Sequence, residues 1–469
     1  MIALSLSEIA EAVSGRLVLG ASGKTSETVI DGLSQTDSRE VEAGQVFFAR
    51  RGEETDGHHF VAKAVDNGAA LLVVEREIED RVPQIVVADS TDALGALATE
   101  VVRRVNEAGN LQIVGITGSN GKTTTKNLLA AMTARLGETV ASEKSFNNEV
   151  GGPLTMLRVT ADTRYLVAEM GASAEGEITR LVRMAPPHIG VVLSVGFAHA
   201  GGFGGIETTV RTKSEMVRDL APGAIAVLNR EDPRVAGMSE LTRAQVRWFG
   251  LSDAADVWAE GAESDAGGTR FTLHAGTESR PVHFRVLGEH HVMNALAAAT
   301  VAHELGLTID EIVASLEETT RPARWRMEVL GGRDGVTVIN DAYNASPDSM
   351  SAALKTLAQI RKPAGRSIAV LGAMSELGEI SGEEHDRIGL QTVRLRISEL
   401  VVVGAEARRL HISAINEGNW DGESVFFADA DAAYDYLIAT IRPDDTVLVK
   451  SSNAAGLRFL GDRLGEAFA

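Results

Sequence analysis

The chain has 469 residues, a formal net charge of −20 and no cysteine. This length predicts two or three domains, and the lack of cysteine excludes disulfides, thiolate nucleophiles and cysteine-bound metals. The negative charge argues against a nucleic-acid partner. No stretch of about 18 apolar residues predicts a membrane span, and the N-terminal pattern predicts no signal peptide, so we expect a cytoplasmic protein without membrane insertion.

Three segments with different patterns follow one another along the chain. Residues 1–94 mix short strand-like runs with short helices, which predicts a small mixed α/β domain. Residues 95–320 alternate apolar strands with helical stretches, as in a parallel sheet with crossover helices. Residues 321–469 repeat this alternation and predict a doubly wound, Rossmann-like domain. The predicted fold class is therefore α/β with three domains.

The central segment contains a phosphate-binding motif. An apolar strand leads into the sequence TGSNGKT at 117–123, and a helix follows. Small residues allow backbone N–H groups to surround a phosphate, Lys122 adds positive charge, and a hydroxyl after it can reach Mg²⁺. The loop is a shortened variant, because Ile116 stands where the common P-loop has glycine. We expect the helix to run to a C-terminal glycine at Gly137.

Polar residues follow several predicted strands at their carboxyl ends, where parallel sheets bind ligands. Glu169 ends an apolar strand, and a carboxylate there is costly unless it is paired or binds a metal, so we predict a role in Mg²⁺ binding. His199 follows the next strand in a glycine-rich loop. Asp341 and Asn344 follow a strand of the third segment, where either a tight turn or nucleotide binding explains them.

Two further side chains have both a functional and a structural interpretation. Lys213 lies where a helix is predicted to begin. The sequence pattern fits equally well a lysine on a solvated basic helix and a cation that lies near phosphate. Asn294 lies in a small-residue helix of the kind that packs against a sheet. Its amide both donates and accepts, so it could bind a nucleotide base edge.

Taken together, these segments resemble the Mur ligase family, the ATP-dependent amide-forming enzymes of peptidoglycan synthesis. The resemblance extends over essentially the whole chain. It rests on TGSNGKT at 117–123, DAYNASP at 341–347, DSR at 37–39, DGH at 56–58, NNEVG at 147–151 and LGAMSELG at 371–378. Within the family, the segment at 341–347 is similar to the signature of members that add D-Ala-D-Ala.

The resemblance implies an enzyme that uses ATP and Mg²⁺ to add D-Ala-D-Ala to UDP-N-acetylmuramoyl-tripeptide through an acyl phosphate. It makes residues 1–94 the UDP-sugar-binding domain, 95–320 the ATP-binding domain and 321–469 the ligase domain that closes over it. We expect a monomer. A sister ligase that adds the third peptide residue, a folylpolyglutamate synthase and a nucleotide-binding protein without ligase activity are the alternatives.

The resemblance also implies roles for individual residues. The catalytic residues would be Lys122, His199, Lys213 and Asn344. The nucleotide would contact Gly118, Ser119, Asn120, Gly121, Lys122, Thr123, Thr124, Asn294, Arg326 and Asp341. The Mg²⁺ ligands would be Thr123, Thr124, Glu169, His199 and Lys213, the last as a carbamate with two anionic oxygens. The UDP-linked substrate would contact Ser38, Arg39, Asn147 and Asn148.

Three positions depart from the family pattern. Ser145 stands where asparagine is frequent, and Trp325 replaces the glycine before Arg326. The segment from Lys450 to Asn453 resembles a Lys-Gly-Ser-Arg motif but lacks its arginine. No contact of that arginine is therefore assigned to this chain.

Overall fold

The computed structural model describes residues 1–52, 55–109, 111–142, 145–196, 205–320, 323–417 and 420–469. Within these residues, three sheets of five, nine and six strands follow one another along the chain, beside one two-stranded ribbon. The α/β architecture predicted from the sequence is confirmed, with one sheet in each of the three predicted segments.

The first unit is a small mixed sheet with helices packed on it. Its strands are β1 (Leu4–Ser5), β2 (Arg16–Val18), β3 (Val29–Ile30), β4 (Ser34–Gln35), β5 (Val46–Phe48), β6 (Leu71–Val74) and β7 (Gln84–Val86). Its helices are α1 (Leu6–Ala12), α2 (Val61–Asp66) and α3 (Ser90–Glu107). The sheet order is β2–β7–β6–β5–β4, with only β2 antiparallel. Helix α3 continues through residue 94, where the sequence predicted the first domain boundary.

The second unit is built on a nine-stranded sheet. Its strands are β8 (Gln112–Thr117), β9 (Thr139–Ala141), β10 (Tyr165–Glu169), β11 (Ile189–Val192), β12 (Ile225–Asn229), β13 (Gln245–Gly250), β14 (Val257–Asp265), β15 (Gly268–Ala275) and β16 (Glu278–Phe284). Its helices are α4 (Lys122–Thr133), α5 (Gly151–Met156), α6 (Glu177–Met184), α7 (Ile206–Arg218), α8 (Pro233–Ala236), α9 (His290–Glu304) and α10 (Ile309–Glu318).

The topology of this sheet places the phosphate-binding motif at its centre. Strand β8 pairs in parallel with both β10 and β11. The carboxyl ends of β8 and β10 therefore lie side by side, with Glu169 paired to Ile116 in the register. At the far side, β14, β15 and β16 form an antiparallel meander. The sequence analysis did not distinguish this meander from the parallel strands.

Two local predictions in this unit are wrong. Helix α4 ends at Thr133 and is capped by Ala134, whereas Gly137 lies beyond it in the turn towards β9. Glycine is needed there for space, because a Cβ atom on Gly137 would lie 2.8 Å from Cγ of Arg164. Lys213 lies in the interior of α7 and not at its start.

The third unit confirms the predicted Rossmann-like sheet. Its strands are β17 (Glu328–Gly331), β18 (Thr337–Asn340), β19 (Ser367–Leu371), β20 (Glu399–Val403), β21 (Glu423–Phe427) and β22 (Thr446–Lys450). Its helices are α11 (Pro347–Ile360), α12 (Ser381–Arg394), α13 (Arg408–Ile415), α14 (Ala430–Thr440) and α15 (Leu457–Ala467). The order is β17–β18–β22–β19–β20–β21, parallel except for β17.

Helices α4 and α9 share one core with the central sheet. Leu128 and Leu129 on α4 and Leu296 on α9 are almost completely buried in the same cluster as Phe284 of β16. The alanines around Leu296 let α9 approach closely, because small side chains keep two helices near each other. This packing sets the position of α4, whose first turn carries the phosphate-binding motif. No helix in the described ranges is long and apolar enough to cross a bilayer.

Replacing Phe284, which is 0% exposed, by alanine should lower the free energy of unfolding of the central unit by about 3 to 5 kcal/mol, because a large cavity is left in the core. Urea unfolding followed by circular dichroism measures the change. The matched control is Phe60→Ala, at a side chain that is 44% exposed, which should cost less than about 1 kcal/mol. Equal destabilisation by both variants would contradict this assignment of the core.

Candidate active site

A cavity of about 600 Å³ lies between the second and third units. The carboxyl ends of β8, β10 and β18 and the first turns of α4 and α9 converge on it. It brings together most of the predicted site residues: Ser119, Asn120, Gly121, Lys122, Thr123, Thr124, Asn147, Asn148, Glu169, Asn294, Arg326, Asp341 and Asn344. A larger cavity of about 950 Å³ lies at the amino ends of β19, β20 and β21, and none of the predicted site residues lines it.

The phosphate-binding loop is shaped by a close approach between two helices. Gly121 has a φ of 87° and immediately precedes α4. A Cβ atom at this position would lie 2.2 Å from Oδ1 of Asn294, so only glycine allows α9 to sit against the loop. Among the side chains that the structure describes, none caps the start of α4. Its first N–H groups therefore point free of side-chain acceptors towards the cavity, the arrangement that binds phosphate at helix N-termini.

Lys122 folds back over the same loop. Its Nζ donates to the carbonyl oxygens of Gly118, at 2.6 Å, and Ser119, at 3.4 Å. Burial lowers the pKa of the Lys122 ammonium, and the nearby carboxylate of Glu169 opposes that shift. The charge of Lys122 is thus held at the mouth of the loop. Gly118 contributes its carbonyl to this arrangement, although it is not among the residues that line the cavity.

Glu169 is the centre of a set of oxygen and amide groups on the cavity wall. It is only 2% exposed. Its Oε2 accepts a hydrogen bond from Oγ1 of Thr123 at 3.0 Å, and its Oε1 accepts one from Nδ2 of Asn147 at 2.7 Å. Oγ1 of Thr123 also lies 2.9 Å from Oγ of Ser145, so serine makes a short contact at this departure from the family pattern.

These groups fit a magnesium ion that also binds a nucleotide. A carboxylate and hydroxyls are hard oxygen ligands, and Mg²⁺ in nucleotide sites takes one or two such protein ligands together with phosphate oxygens. Among the described residues, no group of three or more His, Asp or Glu side chains is placed to hold a metal unaided. A cation at Glu169 and Thr123 would therefore depend on oxygen atoms of the nucleotide.

The loop before α5 uses its two asparagines partly for its own structure. Asn147 orients Glu169, as described above. Oδ1 of Asn148 accepts hydrogen bonds from the backbone N–H groups of Gly151, at 2.9 Å, and Val150, at 3.3 Å. Both side chains line the cavity, and each keeps polar atoms that these contacts do not use. Their role in holding the UDP-linked substrate stays a prediction.

Buried lysines lie at and around the cavity of this strongly acidic protein. Lys126, Lys213 and Lys450 are each at most 2% exposed. Lys213 does not line the cavity. Its pKa is lowered to about 7, mainly by burial and to a smaller extent by the positive charge of Lys122. Lys126 donates to the carbonyl oxygen of Ser142 at the base of the loop that carries Asn147. The sequence analysis missed Lys126, because a lysine one turn into a helix is normally solvated.

The wall from the third unit centres on Asp341. Nζ of Lys450 lies 2.6 Å from its Oδ2, and Oδ1 accepts a hydrogen bond from the backbone N–H of Met327 at 3.0 Å. The guanidinium of Arg326 lies 4.5 Å from the centre of the Tyr343 ring, a distance typical of a cation–π contact. The sequence analysis gave Lys450 no role, although its similarity to a family motif was a signal.

The segment before Asp341 has an unusual backbone. Trp325 and Met327, on either side of Arg326, have φ values of 58° and 48°. This left-handed conformation costs a non-glycine residue about 1 to 2 kcal/mol. Hydrogen bonds offset the cost: Trp325 donates its backbone N–H to Oε2 of Glu328 at 2.7 Å and its indole N–H to Asp462 at 3.0 Å. Trp325 therefore keeps the backbone shape that the family's glycine would adopt freely.

Two histidines at the start of α9 were also missed. His290 and His291 line the cavity, and burial lowers the pKa of His290 to about 4, so its ring is neutral at neutral pH. Nδ1 of His291 lies 3.2 Å from Nδ2 of Asn294. Because the Asn294 amide nitrogen is a donor, this contact directs Oδ1 of Asn294 towards Gly121. In the sequence, two adjacent histidines do not show whether one of them orients a neighbouring side chain or only packs in the core.

Besides Gly118 and Lys213, three more predicted residues do not line the cavity or lie outside the described residues. His199 lies outside the described residues. Ser38 and Arg39 belong to the first unit and do not line the cavity; Arg39 is exposed and pairs with Asp37 at 2.6 Å. Burial lowers the pKa of Arg50 in the first unit, and the charge of Glu149 on the cavity wall opposes that shift. The roles of Ser38 and Arg39 stay predictions.

Comparison with known proteins covers each of the three units. Residues 33–101 match the model of the Mur ligase family catalytic domain, 116–302 the Mur ligase middle domain, and 325–453 the Mur ligase glutamate ligase domain. The UDP-N-acetylmuramoyl-tripeptide--D-alanyl-D-alanine ligase of Mycobacterium tuberculosis H37Rv is 43% identical and covers 99% of this chain and 98% of the relative. The Escherichia coli K12 protein of the same name is 31% identical and covers 97% of each chain.

Solved structures agree with these matches. MurF from Acinetobacter baumannii has a TM-score of 0.88 at 32% identity and covers 99% of both chains. The MurF ligase of Thermotoga maritima in complex with ADP has a TM-score of 0.80 at 29% identity and covers 94% of this chain and 99% of that one. The resemblance inferred from the sequence motifs is confirmed, and the chain belongs to the Mur ligase family.

Proposed function

We propose that the protein joins D-Ala-D-Ala to UDP-N-acetylmuramoyl-tripeptide with ATP and Mg²⁺, forming the last peptide bond of a peptidoglycan precursor. Two kinds of evidence support the proposal: near full-length similarity to ligases of that name, and an ADP complex of a structural relative. The observation that carries it is a single cavity in which Lys122, Thr123 and Glu169 face Asp341 and Asn344 of the DAYNASP segment.

The chemistry requires activation of a carboxylate. A carboxylate oxygen of the tripeptide attacks the γ-phosphorus of ATP, ADP leaves, and an acyl phosphate forms. The amine of D-Ala-D-Ala then attacks the acyl carbon, the amide bond forms, and inorganic phosphate leaves. Catalysis of such a transfer is mostly positioning and stabilisation of charge.

The chain's own residues supply these two functions. The free N–H groups at the start of α4 and the charge of Lys122 would hold the β- and γ-phosphates. Thr123 and Glu169 would hold Mg²⁺, which when bound neutralises phosphate charge and aligns the reacting oxygens. Asn147 keeps the carboxylate of Glu169 in place through its 2.7 Å hydrogen bond.

Polar groups from the third unit complete the enclosure. Oγ of Ser346 donates to Oδ1 of Asn120 in the phosphate-binding loop at 3.2 Å. The third unit thus contacts the loop directly, next to the turn that carries Asn344. Such an enclosure would keep water away from the acyl phosphate, which hydrolyses readily.

The defining test is a product assay. The protein with ATP, Mg²⁺, UDP-N-acetylmuramoyl-tripeptide and D-Ala-D-Ala should form the pentapeptide product, detected by mass spectrometry, and should release ADP much faster with both co-substrates than with either alone. Release of ADP with the dipeptide precursor and a third residue would favour a sister ligase instead. ADP release at the same rate without D-Ala-D-Ala would contradict coupled turnover.

Lys122→Ala should lower kcat by about 100-fold or more, because a preorganised charge next to the transferring phosphoryl group is lost. The matched control is Lys63→Ala, at an exposed lysine of the first unit, which should keep kcat close to that of the wild type. Steady-state ADP release under saturating substrates measures both. Similar rates for Lys122→Ala and the wild type would remove the lysine from the proposed chemistry.

We also propose that Lys213 is carbamylated in the active enzyme. Carbamylation needs a neutral amine, and the lowered pKa of about 7 makes Lys213 mostly neutral at pH 8 but mostly charged at pH 6. Enzyme depleted of CO₂ should therefore regain activity on addition of bicarbonate at pH 8 and much less at pH 6 at equal dissolved CO₂.

The variant test for this site uses chemical rescue. Lys213→Ala should lose most activity, and short carboxylates such as formate or acetate should restore part of it by replacing the carbamate oxygens. Native mass spectrometry of the wild-type protein checks for the added CO₂. Full activity of Lys213→Ala without any additive would rule out the carbamate.

A further inference from the structure

We propose that Lys450 is a positioning residue that holds Asp341, and through it Arg326, in the geometry that binds the adenine nucleotide. The inference rests on the proposed ATP-dependent function but not on the identity of the amino substrate. It concerns the end of β22, where the segment from Lys450 to Asn453 is similar to a family motif.

The contacts of Lys450 leave its ammonium group no donor for a ligand. Nζ lies 2.6 Å from Oδ2 of Asp341, 3.0 Å from the carbonyl oxygen of Asn344 and 3.4 Å from the carbonyl oxygen of Asp341. A lysine ammonium has three donors, and these three acceptors match them. The side chain is 3% exposed, so Lys450 acts through Asp341 and the turn that follows it.

Asp341 transmits this restraint to the segment that carries Arg326. While Oδ2 is held by Lys450, Oδ1 accepts the backbone N–H of Met327 at 3.0 Å. Met327 and Trp325 have left-handed backbones, which the chain does not adopt without support. The Asp341 carboxylate is therefore one of the fixed points that keep Arg326 directed over Tyr343 and into the cavity.

Charge gives a second reason for the pair. The Asp341 side chain is 10% exposed and lines the cavity that would take the phosphates of the nucleotide. Without a cation beside it, this carboxylate would repel the polyanion and would itself be buried without a compensating charge. Burial lowers the pKa of Lys450, and the carboxylate of Asp341 opposes that shift, so Asp341 supports the charged form of the lysine.

Lys450→Met should lower the affinity for ADP by about 10- to 100-fold, by analogy with the loss of residues that support metal ligands. Calorimetric titration of the full chain with ADP measures it independently of amide formation. In turnover, KM for ATP should rise by a similar factor, whereas KM for the UDP-linked substrate should stay within about twofold.

The same sheet of the third unit offers a matched control. Arg366 pairs with buried Asp445 at 2.7 Å, at the amino end of β22 and far from the cavity. Arg366→Met breaks a comparable pair in the same unit and should reduce the melting temperature without changing ADP affinity. An equal loss of ADP affinity in Arg366→Met and Lys450→Met would show general destabilisation and overturn the proposal.

A double-mutant cycle decides whether Lys450 acts through Asp341. If it does, Lys450→Met should change ADP affinity far less in an Asp341→Asn background than in the wild type, because the carboxylate it holds is already gone. The same loss in both backgrounds would mean that Lys450 acts independently of Asp341 and would overturn the proposal.

Misfolding of the variant and a wrong amino substrate can each be told apart from a failure of the Lys450 proposal. If Lys450→Met does not fold, Lys450→Gln, which keeps a hydrogen-bond donor but removes the charge, is judged by the same cycle. If the wild type binds ADP but forms no amide with D-Ala-D-Ala, the proposed substrate is wrong, and the ADP titrations still test Lys450. Unchanged ADP affinity in a folded Lys450 variant overturns the inference alone.

Discussion

Pairing of buried charges at one interdomain cavity is the constraint on which the rest of this structure depends. The chain carries 65 acidic and 45 basic residues, so its overall field repels ATP and a UDP-linked substrate. Within the described residues, the cavity wall carries three basic side chains and four carboxylates, namely Lys122, Arg326 and Lys450 with Glu149, Glu169, Glu177 and Asp341. Buried ammonium groups are costly by themselves. They are tolerated because carboxylates, backbone carbonyls and, in turnover, phosphates compensate their charge.

Glu169 and Asp341, on opposite walls of the cavity, each have a defined set of partners. Glu169 has one oxygen on Thr123 and the other on Asn147, and Asp341 has one on Lys450 and the other on Met327. A carboxylate with both oxygens restrained points in one direction, which is what a metal ligand or a support for a neighbouring group requires. This common pattern gives the two faces of the cavity their rigidity, although they come from different units.

The architecture explains why these groups meet. The carboxyl ends of parallel strands collect the polar residues of a doubly wound sheet, and here two such sheets face each other. One provides the phosphate-binding loop after β8, and the other provides the turn after β18. The contact between Ser346 and Asn120 joins these two features directly. A ligase that must exclude water from a reactive acyl phosphate needs such an enclosure between units.

Much of this was readable in the sequence. The alternation of strands and helices determined the α/β class, and the TGSNGKT and DAYNASP motifs identified the family and most of the cavity residues, because their chemistry is local to a loop. The prediction that α4 ends at Gly137 was wrong, and the antiparallel meander after β13 was not distinguished from the parallel strands. Tertiary packing, and not the local sequence pattern, decides where a helix ends and in which direction a strand pairs.

The tertiary structure alone decided the supporting contacts. Lys450 lies 109 residues from Asp341 in the sequence, whereas Lys126 and His291 look like ordinary surface and core residues along the chain. Their effect depends on burial and on distances near 3 Å, and neither quantity is encoded in a motif. The sequence by itself thus determined the chemistry of the site, whereas packing of the two sheets determined which charges are buried beside it and therefore how that chemistry is held in place.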